Sequence, residues 1–227
     1  MEVIMKKFNT WANRPEVFFL MAVILLVVGS ASESQALGIE DIKSDIETYA
    51  MAGNIDAIAN LASQNPDLAA EIAKIAAEVN SGLAVDIAVS VAKAVPDKAV
   101  EIACSVAKAV PDKAVEIAAG VAIVVPHKYA VNIACCIASV VPGAAAEIAA
   151  GVAEVVPPEY AADIAACIAS VVPEAAAEIA AKIIAVVPPD YKDSIEQSIA
   201  DAIAPPAEGA EEGAPPPVPP VPQPYGQ

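Results

Sequence analysis

Beyond residue 36 the chain has no tryptophan, no phenylalanine and no arginine, since Trp11, Phe8, Phe18, Phe19 and Arg14 all precede that point. The aromatic surface that remains comes from five tyrosines, and the one histidine is His127. Each absence removes a class of function. Without arginine, and with a formal net charge of −17, the chain matches nucleic acid poorly, because phosphate contacts need clustered cations. A lone histidine, with no serine motif and no cysteine–histidine spacing, leaves no catalytic constellation. No enzyme activity is expected, and His127 is expected at an exposed helix start. There is no C-x-x-C pair, no C-x-x-C-H haem attachment and no glycine-rich phosphate loop following a strand. Accordingly, no cofactor, no metal and no small-molecule substrate is expected. The negative charge favours solubility and makes cations or a basic partner the better electrostatic match.

What the chain has instead is proline at near-equal intervals. Pro96, Pro111, Pro126, Pro142, Pro157, Pro173 and Pro188 stand 15 or 16 residues apart. Proline suits the first turn of a helix, where its missing N–H has no partner to lose, and is excluded from the interior. The spacing therefore stops one helix and starts the next. Between the prolines recurs an apolar core marked by Ile72, Ile87, Ile102, Ile117, Ile133, Ile148, Ile164, Ile179 and Ile195. Helices of about 11–13 residues are marginal alone in water, so each must be held by its neighbours.

The units alternate. From Pro126 onward they run 16, 15, 16 and 15 residues, so the true period is a helix pair of 31. Tyr129, Tyr160 and Tyr191 recur at that interval. Odd units carry Cys104-Ser105, Cys135-Cys136 and Ala166-Cys167 beside the marker, whereas even units carry Ala119-Gly120, Ala150-Gly151 and Ala181-Lys182. The expected fold is all-α, an α-solenoid of short antiparallel helices with a helix-pair repeat of about 31 residues. It is broadly similar to tetratricopeptide and HEAT arrays. Its period is shorter than either, and the Trp, Gly and Phe signature of tetratricopeptide units is absent, so no functional residue carries over.

The ends differ from the middle. Lys6, Lys7 and Arg14 precede an apolar run from Val17 to Val28, followed by small residues and Ser34-Gln35-Ala36. This is the order of a secretory signal peptide, and residues 1–36 are expected to be one, with an uncleaved anchor as the competing reading. The run falls short of the ~20 residues that span a bilayer. Residues 37–65 are expected to form an N-terminal helical cap, residues 66–204 the array, and residues 205–227 a disordered acidic, Pro-rich tail with local polyproline II. A spacer or wall-facing extension is the first reading of that tail; docking through its PxxP spacings is the second.

Three groups of residues invite chemistry. Cys104 and Cys135 are equivalent, as are Cys136 and Cys167, and equivalent positions on stacked helices lie beyond disulfide reach. The non-equivalent pairs, Cys104–Cys136 and Cys135–Cys167, are each 32 residues apart and are the expected disulfides. Free cysteines packed as small apolar residues, or a four-thiolate metal site, are the competing readings. Asp86, Glu116, Glu147 and Glu178 occupy one position in successive even units, forming either a solvated stripe or a ladder for a basic partner. Tyr129, Tyr160 and Tyr191 either line a groove or cover the turns lengthened by the extra residue. The functional expectation is an exported, non-catalytic structural or protein-interaction repeat, periplasmic, cell-surface or extracellular, with an unspecified protein or polymer partner. The alternative is a self-assembling or membrane-associated surface protein, resting on the weakly polar helices between residues 126 and 187.

Overall fold

The computed structural model describes residues 38–204, so the expected leader and tail lie outside the described residues. Among the described residues there is no strand; the chain is a regular succession of helices. These are α1 (Ile39–Met51), α2 (Ile55–Gln64), α3 (Ala69–Val79), α4 (Ala84–Ala94), α5 (Ala99–Ala109) and α6 (Ala114–Val124). They continue as α7 (Ala130–Val140), α8 (Ala145–Val155), α9 (Ala161–Val171), α10 (Ala176–Val186) and α11 (Lys192–Ile203). The chain divides into two compact units between Asp45 and Ile46, within α1. The first contributes only the opening turns of α1 to the described residues. Everything that follows concerns the second.

Local chemistry sets the helix boundaries. Gly53, at φ 66°, makes the turn after α1 in a region costly for any residue with a side chain. Asn54 then caps α2, its side-chain oxygen accepting from Ala57 N–H at 3.1 Å. From α3 onward no side chain caps a helix start. A three-residue 3₁₀ turn does the work instead, as in Pro96–Lys98 before α5 and Pro111–Lys113 before α6. Proline thus opens the 3₁₀ turn and not the α-helix itself. The residue ahead of it closes the turn: Lys98 N–H donates to Val95 C=O at 3.1 Å.

The 16-residue units insert their extra residue in this connection. Val125 is extended at φ −111°, ψ 161°, and Pro126 follows at φ −55°, ψ 132°, before the 3₁₀ turn His127–Tyr129. Val156-Pro157 and Val187-Pro188 repeat the arrangement. The extended residue is where proline pushes its predecessor. In the 15-residue units the pre-proline residue is instead both the end of one helix and the start of the next turn, as Val110 is at φ −130°, ψ 73°.

Packing follows one rule. Each helix from α2 onward meets the helix two places on more extensively than the one next to it. The even helices α2 to α10 therefore form one row and the odd helices α3 to α11 another. Ile58 and every marker isoleucine from Ile72 to Ile195 are fully buried. In α5 the buried set is Ala99, Ile102, Ala103, Val106 and Ala107, and the same five positions are buried in α3, α4, α6, α7 and α9. Offsets of three, four, seven and eight residues define one face of an α-helix. No polar or charged side chain is buried among the described residues.

Candidate interaction surface

The register between successive helices of a row can be read from three kinds of residue. Counted from the buried isoleucine, Gly120 lies three places along α6, and a Cβ there would meet Val89 of α4 at 3.0 Å and Val85 at 3.6 Å. Gly151 holds the same place in α8 and would meet Val115 of α6 at 3.2 Å. In the odd row that place belongs to Cys136 of α7 and Cys167 of α9. Cys136 is bonded to Cys104 of α5, with Cα atoms 5.9 Å apart, and Cys167 to Cys135 of α7, with Cα atoms 5.7 Å apart. Both rows make close contact at the same point of the repeat. The even row does it by omitting a side chain, the odd row by joining two. No cysteine among the described residues is free.

The acidic positions lie on the exposed side of the even row. Asp86, Glu116, Glu147 and Glu178 are all exposed. Three of them have lysine partners. Lys113 Nζ, in the turn before α6, donates to Glu116 of α6 at 3.1 Å; Lys182 of α10 reaches Glu147 of α8 and lies 3.6 Å from Glu178. The hydrogen bond from Lys182 holds the Glu147 carboxyl below its ordinary pKa, and the same contact raises that of Lys182. Asp86 is the one member without a cationic partner among the described residues. Two lysines, one of them shared, thus answer four carboxylates, and half of the row's negative charge is uncompensated. Exposed pairs of this kind stabilise by only about 0–1 kcal/mol each. Lys98, in the turn before α5, pairs with Glu101 of α5 at 3.1 Å, one helix before the corresponding Lys113–Glu116 pair.

The tyrosines sit elsewhere, in the turns that open the odd helices. Tyr129, Tyr160 and Tyr191 each end a 3₁₀ turn and are half-buried. The rings of Tyr129 and Tyr160 meet charged and aromatic neighbours along the row. Tyr129 O–H donates to Asp97, in the turn before α5, at 3.4 Å. The His127 ring lies 6.2 Å from that of Tyr160, and Lys128 Nζ sits 4.8 Å above the Tyr129 ring. His127 itself is exposed. The odd turns are thereby tied to one another as the odd helices are.

Sequence reasoning missed Lys182, Asp97 and the His127–Tyr160 contact. A signal for two of them existed. Asp97 precedes Tyr129 by 32 residues, the separation of both disulfides. Lys182 stands at the repeat position that Gly120 and Gly151 occupy in the preceding even helices. Among the described residues no group of three or more potential ligands could hold a metal ion, and no helix is long and apolar enough to cross a membrane. No protein-family model, curated protein or solved structure matches the chain.

Proposed function

We propose that the chain is an exported, non-catalytic α-solenoid that binds a protein or polymer along the turns of its odd row. The observation that carries this reading is distribution: aromatic, charged and cysteine side chains recur at fixed places in successive helices, and among the described residues no polar side chain is buried in a common centre. Repetition suits an extended ligand, which meets the same chemistry at each step. Tyr129, Tyr160 and Tyr191 supply amphipathic contacts, with Asp97, His127, Lys128 and Glu159 around them. The leader and the two disulfides both fit an oxidising compartment outside the cytoplasm. Replacing the three tyrosines together by alanine is expected to abolish capture of the extracytoplasmic partner while leaving the helical circular dichroism unchanged. Undiminished capture would refute the tyrosine edge. Equal capture after charge reversal of Asp86, Glu116, Glu147 and Glu178 is expected, because these residues lie on the even helices and not on the tyrosine-bearing turns of the odd row.

Self-assembly is a second reading, favoured by one feature of the last even helix. On α8, Ala146 and Ala153 are buried, at 3% exposure each. Their counterparts on α10, Ala177 and Ile184, are exposed and half-exposed. At the end of the odd row, by contrast, α11 places the polar Asp193 and Gln197 in the positions that Ala162 and Ala166 hold on α9. Light scattering on the full chain separates the two readings: a monomer at all concentrations removes self-assembly.

A further inference from the structure

The tyrosines are confined to the last odd turns. Tyr129, Tyr160 and Tyr191 close the 3₁₀ turns ahead of α7, α9 and α11, whereas the turns ahead of α3 and α5 carry Leu68 and Lys98 at that place. Each tyrosine is half-buried, and exposed or half-buried prolines stand beside it: Pro126, then Pro157 with Pro158, then Pro188 with Pro189. Consecutive odd turns are in contact, since Tyr129 reaches Asp97 ahead of α5 and His127 lies against Tyr160. Neighbouring helices of a row stand about 8–10 Å apart, and that is the step of the ladder. These are also the odd turns closest to where the chain leaves the array, at Ala204 after α11.

Residues 216–224, beyond that point, read Pro-Pro-Val-Pro-Pro-Val-Pro-Gln-Pro, a period of three. A polyproline II helix turns once in three residues and rises ~3.1 Å per residue, about 9.3 Å per turn, which matches the ladder step for step. Aromatic-lined grooves are a recurring docking surface for such segments. The connection closes as well. Helix α11 separates Ala204 from Tyr191 by about 18 Å, at 1.5 Å per residue. A flexible segment as long as residues 205–214 has an r.m.s. span of about 17 Å, and a span so matched gives an effective concentration in the millimolar range. Charge agrees: Glu208, Glu211 and Glu212 fall in that connection, while residues 213–227 carry no charged side chain, so the chain's net −17 does not repel the segment. We propose that the tyrosine edge reads polyproline II segments and that its occupant is this chain's own residues 216–224. Pro216-Pro217-Val218 meets Tyr191, Pro219-Pro220-Val221 meets Tyr160, and Pro222-Gln223-Pro224 meets Tyr129. An external partner of the edge must then displace the tail.

The inference rests on the tyrosine edge proposed above, but its test needs no partner. NMR spectra of the full chain, labelled in its tyrosine rings, are compared with those of a variant carrying Pro217→Gly, Val218→Ser, Pro220→Gly and Val221→Ser. These positions lie beyond the last helix of the array, so its fold is not at stake. The ring signals of Tyr129, Tyr160 and Tyr191 are expected to move in the variant, while that of Tyr49 on α1 stays. A synthetic peptide of residues 215–224, added to the variant at about millimolar concentration, is expected to return them toward their wild-type positions. Unmoved ladder signals, equal movement of Tyr49, or no response to the peptide would each overturn the proposal. So would wild-type signals that change on dilution, because they would put the tail on a second copy. Failure of the edge itself reads differently: partner capture that survives replacement of the three tyrosines. An edge that captures a partner without holding the tail gives unmoved rings together with capture lost on that replacement.

Discussion

Replacing Cys104 and Cys136 together by alanine should cost about 3 kcal/mol of stability without changing the folded helix content. The bond closes a loop with a sequence separation of 32. Chain-entropy reasoning gives a loop of about that length a stabilisation of roughly 3.7 kcal/mol at 25 °C, and real bonds deliver somewhat less, typically 2–4 kcal/mol. The second loop, Cys135 to Cys167, overlaps the first only at Cys135 and Cys136, so the two contributions should nearly add. Against a typical total of about 5–15 kcal/mol, removing both is a large perturbation. Alanine is the neutral replacement, because Ala119 and Ala150 already stand beside the equivalent even-row contacts. Urea unfolding followed by circular dichroism measures the effect. With a slope of about 2 kcal/mol/M, one bond should shift the midpoint by about 1.5 M. The native signal before the transition should be the same, since the bond acts mainly by restricting the unfolded chain. A midpoint unmoved by the double replacement, or disulfide mapping that joins Cys104 to Cys135, would refute this account of the odd row.

Six other substitutions have definite outcomes. Ile133→Ala empties a fully buried marker site and should cost about 2–5 kcal/mol, whereas Ile123→Ala, at a position 58% exposed, should fall within about 0.5 kcal/mol of wild type in the same urea assay. Gly120→Ala gains about 1 kcal/mol in helix propensity but drives a Cβ to 3.0 Å from the stiff Val89 side chain, for a net loss of about 1 kcal/mol; Gly151→Ala, at 3.2 Å, should be closer to neutral. Gly143→Ala, with nothing within 4 Å of the new methyl, should be neutral or slightly stabilising by thermal denaturation. For Glu147, the lowered folded-state pKa means that its contribution is present above the unfolded carboxylate range and is lost as pH falls through the folded value. Glu147→Gln should therefore lower the urea midpoint near neutrality and converge with wild type in strong acid; a constant offset down to pH 2 would exclude the linkage to Lys182.

Much of the fold was legible because its determinants are local and repeated. Proline at 15- or 16-residue intervals marks the connections, and a marker isoleucine with apolar partners at helical offsets marks the buried face; both survive without tertiary information. The 31-residue alternation is readable too, since Gly120 and Gly151 recur in one class of helix and Cys135-Cys136 in the other. What could not be read was how the extra residue is spent. Nothing in the spacing says that Pro126, Pro157 and Pro188 stand extended ahead of the 3₁₀ turn while Pro96, Pro111, Pro142 and Pro173 sit inside it. That choice depends on where the next helix must land. The pairing of Lys182 with Glu147 was hidden for the same reason, because a long side chain's reach depends on inter-helix register and not on its own helix alone.

The position of the disulfides follows from the energetics of so small-residued a core. In each row the contacts between helices are made by alanine, glycine, one fully buried isoleucine and, in most helices, a buried valine or isoleucine four residues on, and burying each such side chain contributes only about 1.5–3 kcal/mol. An 11-residue helix is unstable by itself, so stability must come from the interfaces summed along the array. Such an array frays from its ends, where a helix has a neighbour on one side only. A covalent link at an end would tie down one helix; a link between α5 and α7 and another between α7 and α9 joins three odd helices and encloses α6 and α8 within the closed loops. Those five helices then open together or not at all. The even row needs no bond of its own there, because each even helix in the block is connected at both ends to a stapled odd one. Sharing α7 between both links joins the five helices into one contiguous block, whereas two disulfides placed far apart in the array would secure two separate blocks of three.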